Sequence, residues 1–412
     1  MGKKSVERAG KGAEKREHRF AKTVGKLGLA ALLSVNGALG GGVAYLQHDI
    51  NAGKAELADA RPQVHAIYLT NDPAKAEVAT YVATGLGTRN PSETARKLTA
   101  HHELGNVFAV EYSNRDINIE ELTEAVVRNA HDNGIKYLAF DGYSMGGPIE
   151  LAVAAEIYEK HDDLHVLSVT LNSSPVGNEG LTAKSRDGGR AMSAILNYWP
   201  ELVYSKKARL TAEVLARNND YYDKQEWAVD FDKLDATIDS VENEKTRNRS
   251  AASGSLISSQ YNFHFRYGVE RSLETLSKEV DGKEPPNVYY TRSLDPRDDA
   301  VVNVTASGES IVQAATDHFV PLQVLDIHNI GHANPAERPT EYNRAIHDRI
   351  APGILSVLRV DHGVGGEPEY GDAIAASIPT AKDRAIKPPE PIPADIIDRL
   401  PPVVSVELSP RR

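Results

Sequence analysis

The sequence predicts an α/β fold in which a mostly parallel sheet is flanked by helices and carries a helical insertion, with an N-terminal transmembrane helix before it. Three observations predict it. Short hydrophobic runs alternate with helix-length amphipathic segments from Val64 to Leu171. The alternation lapses over 178–284 and resumes at Asn287. A charge-free stretch, LGLAALLSVNGALGGGVAYL, lies ahead of both at 27–46, long enough to span a hydrocarbon core as a helix.

Taken in chain order, residues 1–26 hold nine Lys/Arg against Glu7, Glu14 and Glu17. This basic flank is expected in the cytoplasm, with 27–46 as a signal anchor and the body after it outside. Cleavage as a signal peptide, with LGLAALLSV as its apolar region and Ala38 and Gly40 near the cut, is the alternative. A buried glycine-rich helix is the third reading. Residues 47–63 form a polar, helical spacer. Strands are expected at Val64–Leu69, Val78–Ala83, Val107–Tyr112, Ile135–Phe140 and Leu164–Leu171. Helices fall between them at Ser92–Leu104, Ile119–Asn133 and Pro148–Lys160, the second ending at Gly134. Core residues 64–177 thus precede a helical insertion at 178–284, rich in Lys, Glu, Asp, Asn and Tyr. The core resumes over 285–360 with strands Asn287–Arg292 and Leu322–Ile327 and a closing helix at Pro339–Leu358. The proline-rich 366–412 lacks periodicity and reads as a disordered tail.

Composition narrows the chemistry. With 41% hydrophobic and 25% charged residues the chain is an ordinary globular protein. It has no cysteine, which excludes disulfides, a thiol nucleophile, iron–sulfur clusters and Cys-ligated zinc. The net charge of −11 divides into +6 over residues 1–26 and −17 over the rest. An acidic body argues against nucleic acid as a partner, since phosphate binding needs a positive surface.

The chemistry concentrates in IKYLAFDGYSMGGPIELAVAAEIYEK, where a hydrophobic strand runs into Gly142-Tyr143-Ser144-Met145-Gly146 and a helix follows. This is the G-x-S-x-G nucleophile elbow in its required strand–turn–helix setting. The strained turn needs side-chain-free neighbours, which Gly142, Gly146 and Gly147 provide. Ser144 just before the helix points the positive end of the dipole at an oxyanion, and Pro148 suits the first helical turn. The competing reading is an ordinary glycine-rich βα turn.

A serine hydroxyl needs a base oriented by an acid, and an elbow of this kind orders them Ser, acid, His. His332, in the loop His328-Asn329-Ile330-Gly331-His332-Ala333 after the last strand, is the expected base. His328, the alternative base, lies at the strand end and is expected to pack or hydrogen-bond locally. The other histidines, including His101 and His102, are expected at the surface. The acid should follow the preceding strand, where NVYYTRSLDPRDDAVVN offers Asp295, Asp298 and Asp299. Asp298, three residues before Val301, best fits an aspartate followed by a valine that turns back into the fold. Asp295 and Asp299 stay open. The aspartates lack the glycine and distal glutamate of an EF-hand, so no metal is expected. Thr84-Gly85-Leu86-Gly87 after an early strand has the H-G-x-G shape with threonine in place of histidine. The oxyanion donors are therefore expected to be the N–H groups of Leu86 and Met145. Position 90 is Asn, so Gly85-x-Gly87 does not continue into a dinucleotide fingerprint.

The GYSMGG elbow at 142–147, the aspartate loop at 295–299 and the histidine loop at 328–335 together resemble the α/β-hydrolase superfamily over about residues 64–360, insertion excepted. The resemblance implies that 178–284 is a cap or lid over the substrate pocket. Its aromatic residues, such as Tyr198, Trp199, Tyr221, Trp227, Phe231 and Tyr261, would form mainly the core of a small helical unit, with one or two facing substrate. It also implies a serine hydrolase for a small-molecule or lipid-like acyl substrate, with no cofactor, which the 27–46 stretch would anchor to the membrane. An acyltransferase using the same triad and a non-catalytic binding protein are the alternatives, because this fold hosts many reactions.

Overall fold

The computed structural model describes residues 41–177, 179–223, 228–266, 268–280, 283–355 and 358. The basic segment 1–26, residues 27–40 of the apolar stretch, the proline-rich tail and Trp227 lie outside them. Seven strands make one sheet: β1 (Gln63–Tyr68), β2 (Val78–Ala83), β3 (Asn106–Glu111), β4 (Tyr137–Tyr143), β5 (His165–Asn172), β6 (Asn287–Ser293) and β7 (Leu322–Ile327). Their spatial order is β1-β3-β2-β4-β5-β6-β7. β1 pairs antiparallel with β3 at one edge, and every other neighbour is parallel.

The helices explain why the central strands are hydrophobic throughout. In chain order they are α1 (Gly41–Leu57), α2 (Ser92–Lys97), α3 (Ile119–Asp132), α4 (Gly146–Lys160), α5 (Ala183–Tyr198), α6 (Lys206–Ala216), α7 (Phe231–Val241), α8 (Gly254–Arg266), α9 (Val269–Leu276), α10 (Val304–Asp317) and α11 (Pro339–Ala345). Parallel strands need crossovers, and crossover helices cover both faces. Alternate residues of β2 accordingly serve opposite cores. Ala79, Tyr81 and Ala83 pack with α3, α4, α9 and α10, whereas Val78 and Val82 pack with α2, α11 and the helical segment after α11. All residues of β2, β3 and β4 are buried. Asn118 caps α3 by accepting a hydrogen bond from the Glu121 N–H, and Asn303 caps α10 by accepting one from Ala306.

The chain between β5 and β6 is mainly helical, and its two halves behave differently. α5, α6 and α7 build small clusters of their own around Leu202 and Ala208 and around Val214, Tyr221 and Val241. α8 and α9 instead send Leu256, Phe263, Leu273 and Leu276 into the main core. That second half is therefore part of the sheet's own helical layer.

The N-terminal segment differs from the sequence expectation where it is described. Residues 41–46, the end of the expected membrane span, begin α1, and α1 lies on the cap. Ile50 is fully buried with Leu202 and Ala208, and Leu46 packs beside Trp199 and Tyr204. The Asp49 carboxylate accepts hydrogen bonds from Ser205 Oγ (2.6 Å) and the Lys207 N–H (3.2 Å) at the start of α6. Lys54 pairs with Glu201, and Glu56 pairs with Lys206 at 2.6 Å. Among the described residues no helix is long and apolar enough to cross a membrane. Leu46 and Ile50 of α1 face protein, and Asp49, Lys54 and Glu56, which follow the expected span, hold the helix to the cap.

Candidate active site

β4 ends in the elbow, and its local geometry follows from a strand that must turn at once into a helix. Ser144 adopts φ 52°, a left-handed conformation rare for a residue with a side chain. Its N–H donates to Asn172 O (2.8 Å) at the end of β5, and its own carbonyl accepts from the Gly147 N–H (3.1 Å). Gly142 is required sterically. A Cβ there would stand 2.6 Å from Gly146 O and Gly147 Cα. Ser144 itself is 9% exposed, so its hydroxyl is held in a largely enclosed place.

The histidine loop follows β7 as expected. Asn329, Gly331 and Ala333 all have positive φ, at 56°, 58° and 39°, while Ile330 between them is buried in the core. This folding brings His332 back over the strand ends. Its Nε2 is 3.0 Å from Ser144 Oγ and its Nδ1 is 2.9 Å from an aspartate carboxylate. His328 is exposed.

That aspartate is Asp299. The expectation of Asp298 is corrected by one position, and the reason is visible in the turn. Asp295, Pro296, Arg297 and Asp298 wind a short 3-10 turn after β6, leaving Asp298 exposed with its Oδ2 accepting from Ser293 Oγ (3.2 Å). Asp295 accepts from the Arg297 guanidinium at 2.5–3.1 Å, which holds its carboxyl down to about 2. Asp299 points inward, with no side-chain exposure. Its Oδ1 accepts from the N–H groups of Val301 (2.9 Å) and Val302 (2.8 Å), leaving Oδ2 for His332. The valine that returns to the core is Val302, 1% exposed, and not Val301 at 36%. The aspartate–x–x–valine pattern holds in a register that two adjacent aspartates and two adjacent valines had left ambiguous.

The 84–88 loop after β2 lies against the elbow. A Cβ on Gly85 would stand 2.7 Å from Ser144 Cβ and 3.1 Å from Met145 N, so only glycine permits this approach. Tyr112, fully enclosed, donates its hydroxyl hydrogen to Thr84 O (2.9 Å). Leu86 turns its side chain outward, 45% exposed. Met145 is the N-cap residue of α4 and is buried.

Three supporting residues escaped the sequence reading. Gln260 of α8, fully buried, accepts from the Gly87 N–H (3.2 Å) and donates to Gly85 O (3.2 Å) and Thr88 O (3.4 Å). It ties the cap-side helix to the loop beside Ser144. Asp141 and Asn172 form a second support beneath the elbow. Asp141 accepts from Tyr143 (2.8 Å) and Asn172 (2.5 Å), and Asn172 in turn accepts from Thr291 (2.6 Å), so β4, β5 and β6 are joined just below Ser144. His101, expected at the surface, is 2% exposed and lies 2.6 Å from Asp141. The 3-10 turn Thr99–Glu103 carries it under the sheet, where a polar ring needs the aspartate. An acid inside the hydrophobic strand YLAFDGY was the available signal. Nothing in the sequence marked Gln260.

The cap aromatics divide much as a small helical unit requires. Tyr221 is buried within the cap, Trp199 and Tyr204 are partly buried against α1, and Tyr198 and Phe231 are 90% and 76% exposed. Tyr261 packs with Leu181, Val302 and Val304, directly behind the Asp299 turn.

No family model and no curated protein matches the chain. Solved structures do, remotely. An esterase from Thermogutta terrifontis is 11% identical over 71% of this chain and 93% of its own, with a TM-score of 0.43. A carboxylesterase from Nitrososphaera gargenis is 14% identical over 72% and 96%, with a TM-score of 0.45. A monoacylglycerol lipase from Paleococcus ferrophilus is 15% identical over 72% and 99%, with a TM-score of 0.42. These likenesses are too distant to carry weight beside the chain's own topology. A parallel sheet with one antiparallel edge strand, a serine elbow after β4, and an aspartate and a histidine after the last two strands give this chain the α/β-hydrolase fold.

Proposed function

We propose that the protein is a serine hydrolase that cleaves a carboxylic ester or related acyl bond through an acyl-enzyme. The observation that carries the reading is the continuous hydrogen-bonded chain from Ser144 through His332 to Asp299, at 3.0 and 2.9 Å. Ser144 Oγ attacks the acyl carbonyl while His332 Nε2 takes its proton. The tetrahedral intermediate collapses as His332 returns that proton to the leaving alkoxide, giving the alcohol and an acyl-Ser144. Water then attacks the acyl carbon with His332 again as base, and the second tetrahedral intermediate collapses as His332 returns that proton to Ser144 Oγ, releasing the acid and regenerating the free serine. Asp299 accepts a hydrogen bond from Nδ1–H, holds the tautomer with Nε2 free, and offsets the imidazolium charge. The N–H groups of Met145 and Leu86 are proposed as the oxyanion donors. The tight approach of Gly85 to Ser144 and Met145 supports this pairing, as does the engagement of the neighbouring Gly87 and Thr88 N–H groups elsewhere.

Labelling of the full chain with a fluorophosphonate tests the assignment. Rapid modification is expected in the wild type, none in Ser144→Ala or His332→Ala, and turnover of p-nitrophenyl esters with a preference among chain lengths. A folded wild type that neither reacts nor turns over esters overturns it. Membrane tethering with the catalytic body outside is a separate proposal, resting on the basic flank and the apolar 27–46 stretch. Retention of the full chain in membranes after alkaline carbonate washing, lost on deleting residues 1–40, is the expected result.

A further inference from the structure

A cavity of about 250 Å³ lies between the C-terminal part of α1, the start of α6 and the segment 245–254. This is near the lower end of the roughly 300–1,000 Å³ usual for drug-sized ligands, which suits a small one. Its charge runs against the rest of the molecule. In a chain whose residues 27–412 sum to −17, the cavity is lined by Arg89, Lys206, Arg209, Lys245, Arg247 and Arg249, and by one acid, Glu56. Glu56 is already paired with Lys206 at 2.6 Å.

The cations lining this cavity are incompletely matched from within. The Arg209 side chain is 11% exposed, and its Nε and Nη2 are buried without a hydrogen-bond partner. The nearest carboxylate, Glu213, stands 3.9 Å away. Arg89, from a different element, pairs through Nη2 with Glu111, yet its Nε is also buried and unpartnered. Arg247 has Glu242 at 3.1 Å, while among the described residues no carboxylate lies within 4 Å of Lys245 or Arg249. Guanidinium groups buried with open donor positions are costly, and an oxyanion with several acceptor oxygens is the ligand that a cluster of such cations matches.

We propose that this cavity is a binding site for the phosphate group of a phosphate monoester or diester, held chiefly by Arg209 and Arg89 with Lys245 and Arg249 at its mouth. The site is separate from Ser144 but structurally joined to it. The Arg89 N–H donates to Ser250 O (2.9 Å) and the Ala252 N–H to Gly87 O (3.0 Å), so the wall of the cavity is hydrogen bonded to the loop beside the nucleophile.

Calorimetric titration of the full chain at low ionic strength, with inorganic phosphate and with glycerol 3-phosphate, tests the proposal. Sodium chloride at matched ionic strength is the reference. Co-sedimentation with phosphatidylglycerol vesicles, against phosphatidylcholine alone, forms the second arm. Arg209→Met and Arg249→Glu are each expected to weaken binding tenfold or more. If Arg209→Met fails to fold, Arg249→Glu and Lys245→Glu decide, since both positions are outside the apolar core. Variant-sensitive binding of the soluble probes points to a free phosphate ester. Variant-sensitive binding only on anionic vesicles points to a lipid headgroup. Absence of both, or binding that these substitutions leave unchanged, overturns the site.

Discussion

At the scale of single residues, the identity of the acid decides the proposed mechanism. Asp299 has both carboxylate oxygens occupied, one by two backbone N–H groups and the other by His332, whereas Asp298 reaches only Ser293 among the described residues. Asp299→Asn is expected to lower kcat/KM on the order of 10³- to 10⁴-fold by favouring the wrong imidazole tautomer. Asp298→Asn and Asp295→Asn should change it less than about threefold, since neither touches the histidine. Steady-state kinetics on one ester decides among the three. A second residue-scale expectation concerns Glu150, fully enclosed in α4 with Oε2 unpartnered. Burial, followed by the nearby Asp141 charge, pushes its carboxyl well above the ordinary value of 4.5. Above that value the unfolded chain releases the proton while the folded chain keeps it, so stability falls as pH rises from there. Glu150→Gln should therefore flatten that slope and stabilise the protein by about 1–3 kcal/mol at pH 8, with little change at pH 4. Urea denaturation at the two pH values measures it, and an unchanged difference between them would contradict the assignment.

At the scale of elements, the elbow and the 84–88 loop are held by different neighbours. β5 anchors the elbow, through Asn172 O to the Ser144 N–H and through the Asn172 amide to Asp141. α8 anchors the loop, through Gln260. Gln260→Leu keeps the volume roughly constant but removes three hydrogen bonds from the loop that brings Gly85 against Ser144. The expected result is a roughly 10- to 100-fold loss in kcat with a smaller change in KM, because the proposed oxyanion donor is displaced while the substrate pocket persists. Equal kcat in the folded variant would mean that the loop needs no support from α8. The elements themselves were largely legible. The expected strands Val78–Ala83 and Leu322–Ile327 match β2 and β7 end to end, and the other five shift by one to three residues. Hydrophobic runs bounded by turn residues mark a parallel strand well because both of its faces are buried. The expected helix Ser92–Leu104 divides into α2 and the 3-10 turn that carries His101 inward, a break that no proline or glycine announced.

At the scale of the whole molecule, α1 acts as a strap across the cap. Ile50 supplies its buried apolar contact, Asp49 caps α6, and two ion pairs flank them. The ion pairs are partly exposed and contribute little, so the apolar contact dominates. Ile50→Ala is expected to cost about 2–5 kcal/mol, read as a lowered thermal midpoint. The cap helices α5 and α6 should also become more sensitive to proteolysis than the sheet. A midpoint unchanged within error would show that α1 rests on the cap without stabilising it.

The α/β class, the strand–turn–helix at Ser144 and the loop histidine His332 could all be read from the amino-acid order. Each of these is a local pattern: a run of apolar residues, a glycine-flanked serine, a histidine after the last strand. It took the folded chain to show that Asp299 and not Asp298 meets His332, that His101 lies under Asp141, that Gln260 holds the 84–88 loop and that Arg209 lines the cation-rich cavity. Those facts depend on which of several equivalent side chains a turn points inward, and on residues far apart in the chain meeting across the sheet. Local propensity carries no information about such long-range contacts, since an aspartate one position along has the same composition and charge and an opposite direction in space.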